Sequence, residues 1–377
     1  MMDVLTSRCL IENGDGRMNI TDGRFTDIRM ELKRINSEIE KASVKLDDAK
    51  IFRPKYAGLM QFMLFNGDSD GGSDETGEDE TVIVEEQGIK INKFRTNLEG
   101  FLPIVAVDTS SKILGETEQG IVVAYRSAIV VLSDLHKKPY AFRFGPYVFH
   151  LTEENKLCIY NHFRKLLGLD KVSESEVPKL LKLVDRIRNA IERMLQRAAA
   201  KIIRNGIVLW DGSLIGGTVD TPIKIVKENI SLAHSNGNSV VGVSKKSRLR
   251  TTSGKKLINL LENVYEACYV DVHKIIVSRQ LGRYLGHVFA VKFSPFGFTF
   301  RVDVAPRSGL TPIQALEQLV SSCKMYNGYP ELLRDAHITA RLTSIEVLAL
   351  QAYIAREYGL TILKSFNIRK YILFPFW

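Results

Sequence analysis

Two aspartates stand where apolar runs stop. Asp108 closes Pro103-Ile-Val-Ala-Val-Asp108, and Asp211 follows Ile207–Trp210. Small residues with hydroxyls come directly after each, as Thr109-Ser110 and as Gly212-Ser213. A carboxylate on the end of a strand is held rigidly at the rim of a sheet, where a ligand can reach it. Neighbouring strands lie ~5 Å apart. Two such acids could therefore bridge one divalent ion, or two ions ~4 Å apart. Carboxylates suit hard cations such as Mg²⁺ and Mn²⁺. Either aspartate alone reads equally well as a turn or helix-cap residue, so the idea rests on the pair.

Further groups could join them. Glu192 sits within a helical stretch next to Ile191 and three residues before Leu195, at the edge of an apolar stripe. Asp185, two turns earlier, is its rival, and an isolated helix acid is usually solvated. Near the C-terminus stands Gly328-Tyr329-Pro330-Glu331, with His337 about two turns further. Pro330 suits a first helical turn. A neutral His337 could ligate a metal or pass a proton; the plainer reading is a hydrogen-bonded helix histidine. Lys245, Lys246, Arg248, Arg250, Lys255 and Lys256 crowd a twelve-residue stretch after an apolar run. Lys245, first after the strand, could meet a phosphate or a developing charge. The others read as sequence-independent backbone contacts, or simply as a solvated loop.

Other chemistries lack their signatures. There is no GxxxxGK[ST] phosphate loop and no GxSxG elbow. Four cysteines (Cys9, Cys158, Cys268, Cys323) lie far apart without a CxxC pair, so neither a zinc knuckle nor a secreted disulfide framework is indicated. Cys323 reads as a core residue.

The elements that must position these groups follow from hydrophobic period. The run at 103–108, Gly120–Ser133 and Ala141–His150 read as strands of an antiparallel meander. Val177–Arg204 carries apolar residues at helical spacing and stops at Asn205-Gly206. A strand at Ile207–Trp210 follows. The reading continues with helix 220–233, strand 239–243, helices 254–263 and 271–282, strands near 287–293 and 298–304, and helices 311–323, 331–339 and 342–358. This pattern predicts a mixed α/β sheet covered by helices. Further upstream, Phe25, Ile28, Leu32, Ile35, Ile39, Ala42 and Leu46 alternate at three and four residues, an a/d seam on a helix of about seven turns. Such a seam could pack on this chain's own body or pair with a second subunit.

The chain's 377 residues suit two average domains or one large one, and 45% hydrophobic with 25% charged residues is ordinary for a globular protein. Apolar runs fall well short of the ~20 residues that span a bilayer. With no visible signal peptide, the expectation is a cytoplasmic protein without a membrane partner. The net charge is +9, yet 68–86 holds nine acids and no base. Without that run the balance is 52 − 34, or +18. A body so basic favours a polyanionic partner. The acidic run itself reads as a solvated loop, or as a mimic of a nucleic-acid backbone. The aromatic tail at 372–377 either packs on the core or anchors a partner protein.

Taken in order, IVAVDTSS (104–111), the helix bearing Glu192, NGIVLWDGSL (205–214), VVGVSKKS (240–247) and GYPELLRDAHITARL (328–342) resemble the NurA family of archaeal and bacterial nucleases. The resemblance implies an RNase H-like mixed sheet flanked by helices, with an N-terminal helical extension. It implies a manganese-dependent deoxyribonuclease, Mg²⁺ being possible. Such an enzyme acts as a 5′–3′ exonuclease and an endonuclease on single- and double-stranded DNA. It is a homodimer that works with a hexameric HerA-type DNA-translocating ATPase in end resection and recombinational repair. Carried over by motif, Asp108, Glu192, Asp211 and His337 match metal and catalytic positions, and Tyr329 and Lys245 auxiliary ones. Thr109 stands where the family usually has Gly, and Glu192 is placed by its position on a helix. The implied organisation is a flexible arm at 1–24, a helix and acidic-loop extension at 25–100, the nuclease domain at 101–345, and a helix with the aromatic tail at 346–377. The rival from another class is a catalytically inactive DNA-binding adaptor of the same ATPase.

Overall fold

The computed structural model describes residues 23–42, 46, 49–55, 82–95, 100–133, 138–218, 222–245, 249–277 and 283–363. Strands and helices in chain order are α1 (Gly23–Lys41), β1 (Ile51–Pro54), β2 (Val82–Val84), β3 (Ile91–Lys93), β4 (Ile104–Glu116), β5 (Gly120–Leu132), β6 (Tyr140–Thr152), α2 (Lys156–Leu166), α3 (Leu180–Ile202), β7 (Ile207–Asp211), α4 (Ile223–Ser235) and β8 (Ser239–Ser244). Then come β9 (Leu249–Thr251), α5 (Leu257–Glu262), β10 (Cys268–Asp271), β11 (His287–Lys292), β12 (Thr299–Ala305), α6 (Pro312–Ser322), β13 (Met325–Tyr326), β14 (Tyr329–Pro330), α7 (Glu331–Ala340), α8 (Ser344–Glu357) and β15 (Thr361–Ile362).

The meander expected at 103–150 is present, as three thirteen-residue strands paired antiparallel. β7 lies parallel to β4 on its other side, and β8 parallel to β7. The five central strands thus run β6-β5-β4-β7-β8, third-second-first-fourth-fifth in chain order, an RNase H-like topology. From β6, at the outer side of the meander, the chain reaches β7 on the far side of β4 by a long crossover through α2 and α3. β12, β11, β10 and β3 extend the sheet beyond β8, while β1 and β15 extend it beyond the far half of β4.

Both faces of the sheet are covered, which is why β4 and β7 read as unbroken apolar runs rather than alternating ones. Ile104, Ala106, Leu209 and Val241 pack with Leu316 of α6 and Leu333 of α7. Val105, Val107, Val208 and Trp210 pack on the opposite face with α3 and α4. The buried stripe of α3 includes Leu183, Ile187, Ile191 and Leu195, all fully enclosed. Among the described residues no helix is long and apolar enough to cross a membrane.

The seam helix turns inward. Leu32, Ile35, Ile39, Ala42 and Leu46 are all buried within the chain, the first four in the cluster that includes α3. Tyr147 donates to Asn36 Oδ1 at 2.5 Å, and Lys201 pairs with Glu31 at 2.7 Å. Of the two readings left open, packing on the chain's own body holds for these residues. The helix ends at Lys41, shorter than the seven turns the spacing predicts.

Other expectations need correction. Asp108 is not at a strand end: β4 runs on to Glu116 because β5 continues beside it. The helix expected at 271–282 is absent over its described part, 271–277; residues 278–282 lie outside the described residues. Residues 268–271 form β10, in which Cys268 and Val270 are buried and Tyr269 and Asp271 are half-buried, a period-two pattern that a strand between β11 and β3 requires. A short 3₁₀ turn at His273–Ile275 follows. The helix expected at 254–263 is reduced to Leu257–Glu262. The end of the acidic run is structured: Val82–Val84 pairs parallel with Leu249–Thr251, and Glu86 lies 3.7 Å from Lys255. The arm at 1–22, residues 68–81 of the acidic run and the tail at 372–377 lie outside the described residues.

Candidate metal centre

Alternation along two parallel strands places the acids. The β4–β7 register ends with Val107 opposite Trp210, so Asp108 and Asp211 come next, side by side. Counting by twos from Ile104 and Ile207, both side chains point to the face covered by α6 and α7. β7 then stops, and Gly212 takes a φ of +122°, a backbone that glycine adopts without a Cβ penalty. Where β7 ends and β4 continues, the sheet edge steps back. Into that step comes His337, in the last turn of α7, where a positive ring also suits the helix dipole.

Asp108, Asp211 and His337 each offer a ligand atom, and these atoms lie within 4.8 Å of one another. His337 Nδ1 is 2.9 Å from Asp108 Oδ2. Lys245, the first residue after β8, donates to Asp211 Oδ2 at 2.7 Å, and Tyr329 donates to Oδ1 at 3.3 Å. The Lys245 ammonium also sits 5.3 Å from the centre of the Tyr329 ring. A two-strand turn holds Tyr329 there: Asn327 and Gly328 have φ of +48° and +80°, as a tight hairpin needs, between paired Tyr326 and Tyr329.

Glu192 approaches from the other layer, on α3, and is not one of the three atoms within 4.8 Å. Its carboxyl nevertheless feels both aspartates. Burial first, then the charges of Asp108 and Asp211, push its pKa up to about 8 against the pull of Arg193 and Arg188. Gln196, one turn on, donates to Glu192 Oε1 at 3.0 Å and is itself fully buried. Sequence reading missed Gln196; its spacing of four from Glu192 on one helix face was the available signal. The rival Asp185 instead acts on Tyr125, on the buried meander. Holding one acid in this state at neutral pH costs about 3 kcal/mol. Four fully buried aliphatic residues on α3, at roughly 1.5–3 kcal/mol each, outweigh that.

The electrostatics of the other groups follow the same contacts. Burial opposes the Asp108 carboxylate, but the His337 hydrogen bond and charge, Lys245 and the Thr109 amide prevail and hold its pKa below the ordinary value. Burial and the neighbouring Asp108 raise Asp211 despite Lys245. Asp108 raises His337, chiefly through the hydrogen bond. Burial, with Asp211 and Asp108 behind it, lifts the Tyr329 phenol well above its usual range, so it stays a donor. The negative charge of Asp108 and Asp211, which adds to burial in raising Glu192, is what a hard divalent cation would relieve, and the oxygen-rich donor set with one imidazole fits such an ion.

Of the basic stretch, Lys245 joins the cluster, and Arg250, Lys255 and Lys256 are exposed on β9 and the turn after it. Arg250 donates to the Gly254 carbonyl at 2.9 Å. Lys246 and Arg248 lie outside the described residues.

An RNase H-like core with acids side by side on its first and fourth strands, a histidine above them and a third acid arriving on the crossover helix defines the class. The NurA domain model matches residues 102–342, well over half the chain. The chain belongs to the NurA family, a family of DNA nucleases. Among solved structures it is similar to the NurA nuclease from Sulfolobus solfataricus, at 14% identity and a TM-score of 0.45, over 71% of this chain and 88% of that one. A second NurA structure matches at 9% identity and a TM-score of 0.40, over 71% and 91%. The catalytic domain of human endonuclease V matches at 13% identity and a TM-score of 0.30, over 73% and 93%. Comparison with curated proteins gives no match.

Proposed function

We propose that this chain is a divalent-metal-dependent deoxyribonuclease that hydrolyses DNA phosphodiesters, with Asp108, Glu192, Asp211 and His337 as its metal and catalytic residues. The observation that carries the reading is the convergence of Asp108, Asp211 and His337 within 4.8 Å, with Lys245 and Tyr329 on Asp211. Asp108 and Asp211 would hold the ion, with His337 beside them and Glu192 joining from α3. Bound there, Mn²⁺ or Mg²⁺ would polarise the phosphodiester and acidify the attacking water.

The protein's own groups do the rest. Lys245 steadies a phosphate oxygen at the moment negative charge builds on it. The Asp108 carboxylate, 2.9 Å from His337 Nδ1, would orient the ring so that its other nitrogen can ligate the ion or pass a proton. Tyr329 donates from its hydroxyl and offers a ring against which the strand is positioned. Arg250, Lys255 and Lys256, with Lys246 and Arg248, contact the backbone without regard to sequence.

The family supports the finer reading: Mn²⁺ as the preferred ion, 5′–3′ exonuclease and endonuclease action on single- and double-stranded DNA, a homodimer, and a hexameric HerA-type ATPase partner in the cytoplasm. The nuclease body on this reading is residues 101–345, with the arm, the helix and acidic extension, and the tail as additions. In the test, Asp108→Ala and Asp211→Ala each abolish cleavage of labelled DNA in Mn²⁺ while DNA binding survives. Cleavage retained in both variants would remove the active-site assignment.

A further inference from the structure

Beyond the metal cluster, the same edge of the sheet carries an aromatic feature that the hydrolytic chemistry does not use. β11 and β12 are joined by a short connection containing Ser294-Pro-Phe-Gly-Phe298. Phe296 is 91% exposed and Phe298 71%, although phenylalanine is among the residues most often buried. The strand order fixes where this connection lies. β12 runs antiparallel to β8 with Arg301 opposite Ser244, so the start of β12 is level with the end of β8 and with Lys245. The connection therefore projects from the edge on which β7 ends in Asp211. β12 is two strands from β7, about 10 Å across the sheet.

The connection also rests on the hairpin that carries Tyr329. Phe298 N donates to the Asn327 carbonyl at 3.2 Å. The backbones of Gly297 and Gly328 approach so closely that a Cβ on Gly328 would come within 2.9 Å of Gly297 Cα. Phe300 contacts the Tyr329 ring at 5.4 Å between centroids. On the hairpin, Tyr326 is half-exposed, and the Arg334 guanidinium lies 4.1 Å from its ring centre. Exposed rings with a stacked guanidinium, continuous with the residue that hydrogen-bonds Asp211, match the recipe by which proteins hold unpaired bases: flat aromatic surface with positive charge beside it.

We propose that Phe296, Phe298 and Tyr326 form a stacking platform for unpaired bases of the DNA strand whose phosphate enters the metal centre. The inference rests on the nuclease reading and extends it. The platform selects single-stranded or unwound ends, because a base stacked within a duplex has both faces covered by its neighbours. At about 3.4 Å per stacked nucleotide, the 10 Å offset corresponds to roughly three nucleotides between the gripped bases and the scissile phosphate.

The experiment measures DNA affinity by fluorescence anisotropy in EDTA, where cleavage is off. Phe296→Ala/Phe298→Ala is compared with the parent and with Phe296→Leu/Phe298→Leu. The probes are a single-stranded oligonucleotide, an abasic strand of equal length and a blunt duplex. The alanine pair is expected to lose about tenfold or more affinity for the normal single strand, to bind the abasic strand and duplex as the parent does, and to melt at the parental temperature. The leucine pair should lose almost as much, since it is apolar but cannot stack. Parental affinity in the alanine pair, or full rescue by leucine, overturns the platform while leaving the nuclease assignment standing. An equal loss on the abasic strand overturns it too, since the rings would then not be reading bases. A change in sedimentation with unchanged DNA affinity assigns the rings to a contact between copies and overturns the inference. A parent chain that binds none of the three probes fails the nuclease reading itself.

Discussion

Glu192→Gln is expected to stabilise the metal-free protein, and to do so only above mildly acidic pH. The Glu192 carboxyl rises from 4.5 to about 8 on folding. An acid whose pKa is raised in the folded state holds a proton that the unfolded chain releases. Below pH 4.5 both states keep it and nothing is lost; the penalty grows as pH climbs toward about 8 and levels off above. At about 1.4 kcal/mol per unit, the parent bears roughly 3 kcal/mol at pH 7 that a neutral glutamine does not. Glutamine keeps an oxygen to accept from Gln196, so the hydrogen bond at 3.0 Å survives. Urea denaturation in EDTA reads the difference through its midpoint. The variant should be more stable than the parent at neutral pH, and the gap should shrink steadily as the buffer is taken down to acetate. Mn²⁺ should then reverse the order, raising the parent by mass action more than the variant. If the glutamine variant is no more stable than the parent at alkaline pH, or the gap persists in acid, burial of Glu192 beside Asp108 and Asp211 is not what sets its carboxyl.

Lys245→Met keeps an unbranched stem but removes the ammonium that pairs with Asp211; kcat should fall by about a hundredfold or more, with DNA affinity little changed, and an unaltered kcat would detach Lys245 from the chemistry. Gly328→Ala places a Cβ at φ +80° and 2.9 Å from Gly297 Cα, so roughly 1–2 kcal/mol of stability should be lost together with much of the cleavage, as Tyr329 is levered off Asp211. Thermal melting and a single-turnover assay separate the two effects, and cleavage at the parental rate would show that Tyr329 need not be held there.

How far the sequence led depended on the range of each signal. β4 and β7 were legible because sheets covered on both faces write unbroken Val/Ile runs, and Asp108 and Asp211 stood out against them. α3 was legible from its stripe. That Asp108 lies within a long strand was not, because Thr109, Ser110, Ser111 and Lys112 look like a turn until β5 is placed alongside. The start of the stretch read as helix 271–282 belongs instead to β10 and the turn after it; pairing with β11 and β3 overrides the local reading, and strand pairing is a non-local fact. The short strands at 51–54, 82–84 and 91–93 are too brief to show any period. At the candidate metal centre, residue types could be named from sequence, but that Glu192 approaches from the layer opposite His337 follows only from the topology.

The two pieces of chain outside 102–342 do more than decorate the family domain. β1 and β15 lie along the outer rim of β4's distal half, and β3 seals β10 on the opposite border. A fragment trimmed to the matched residues would bare unsatisfied amides and carbonyls along both margins at once. Exposed margins of that kind recruit other strands. Expression of the trimmed fragment would therefore select for stacking between molecules rather than for the lone enzyme.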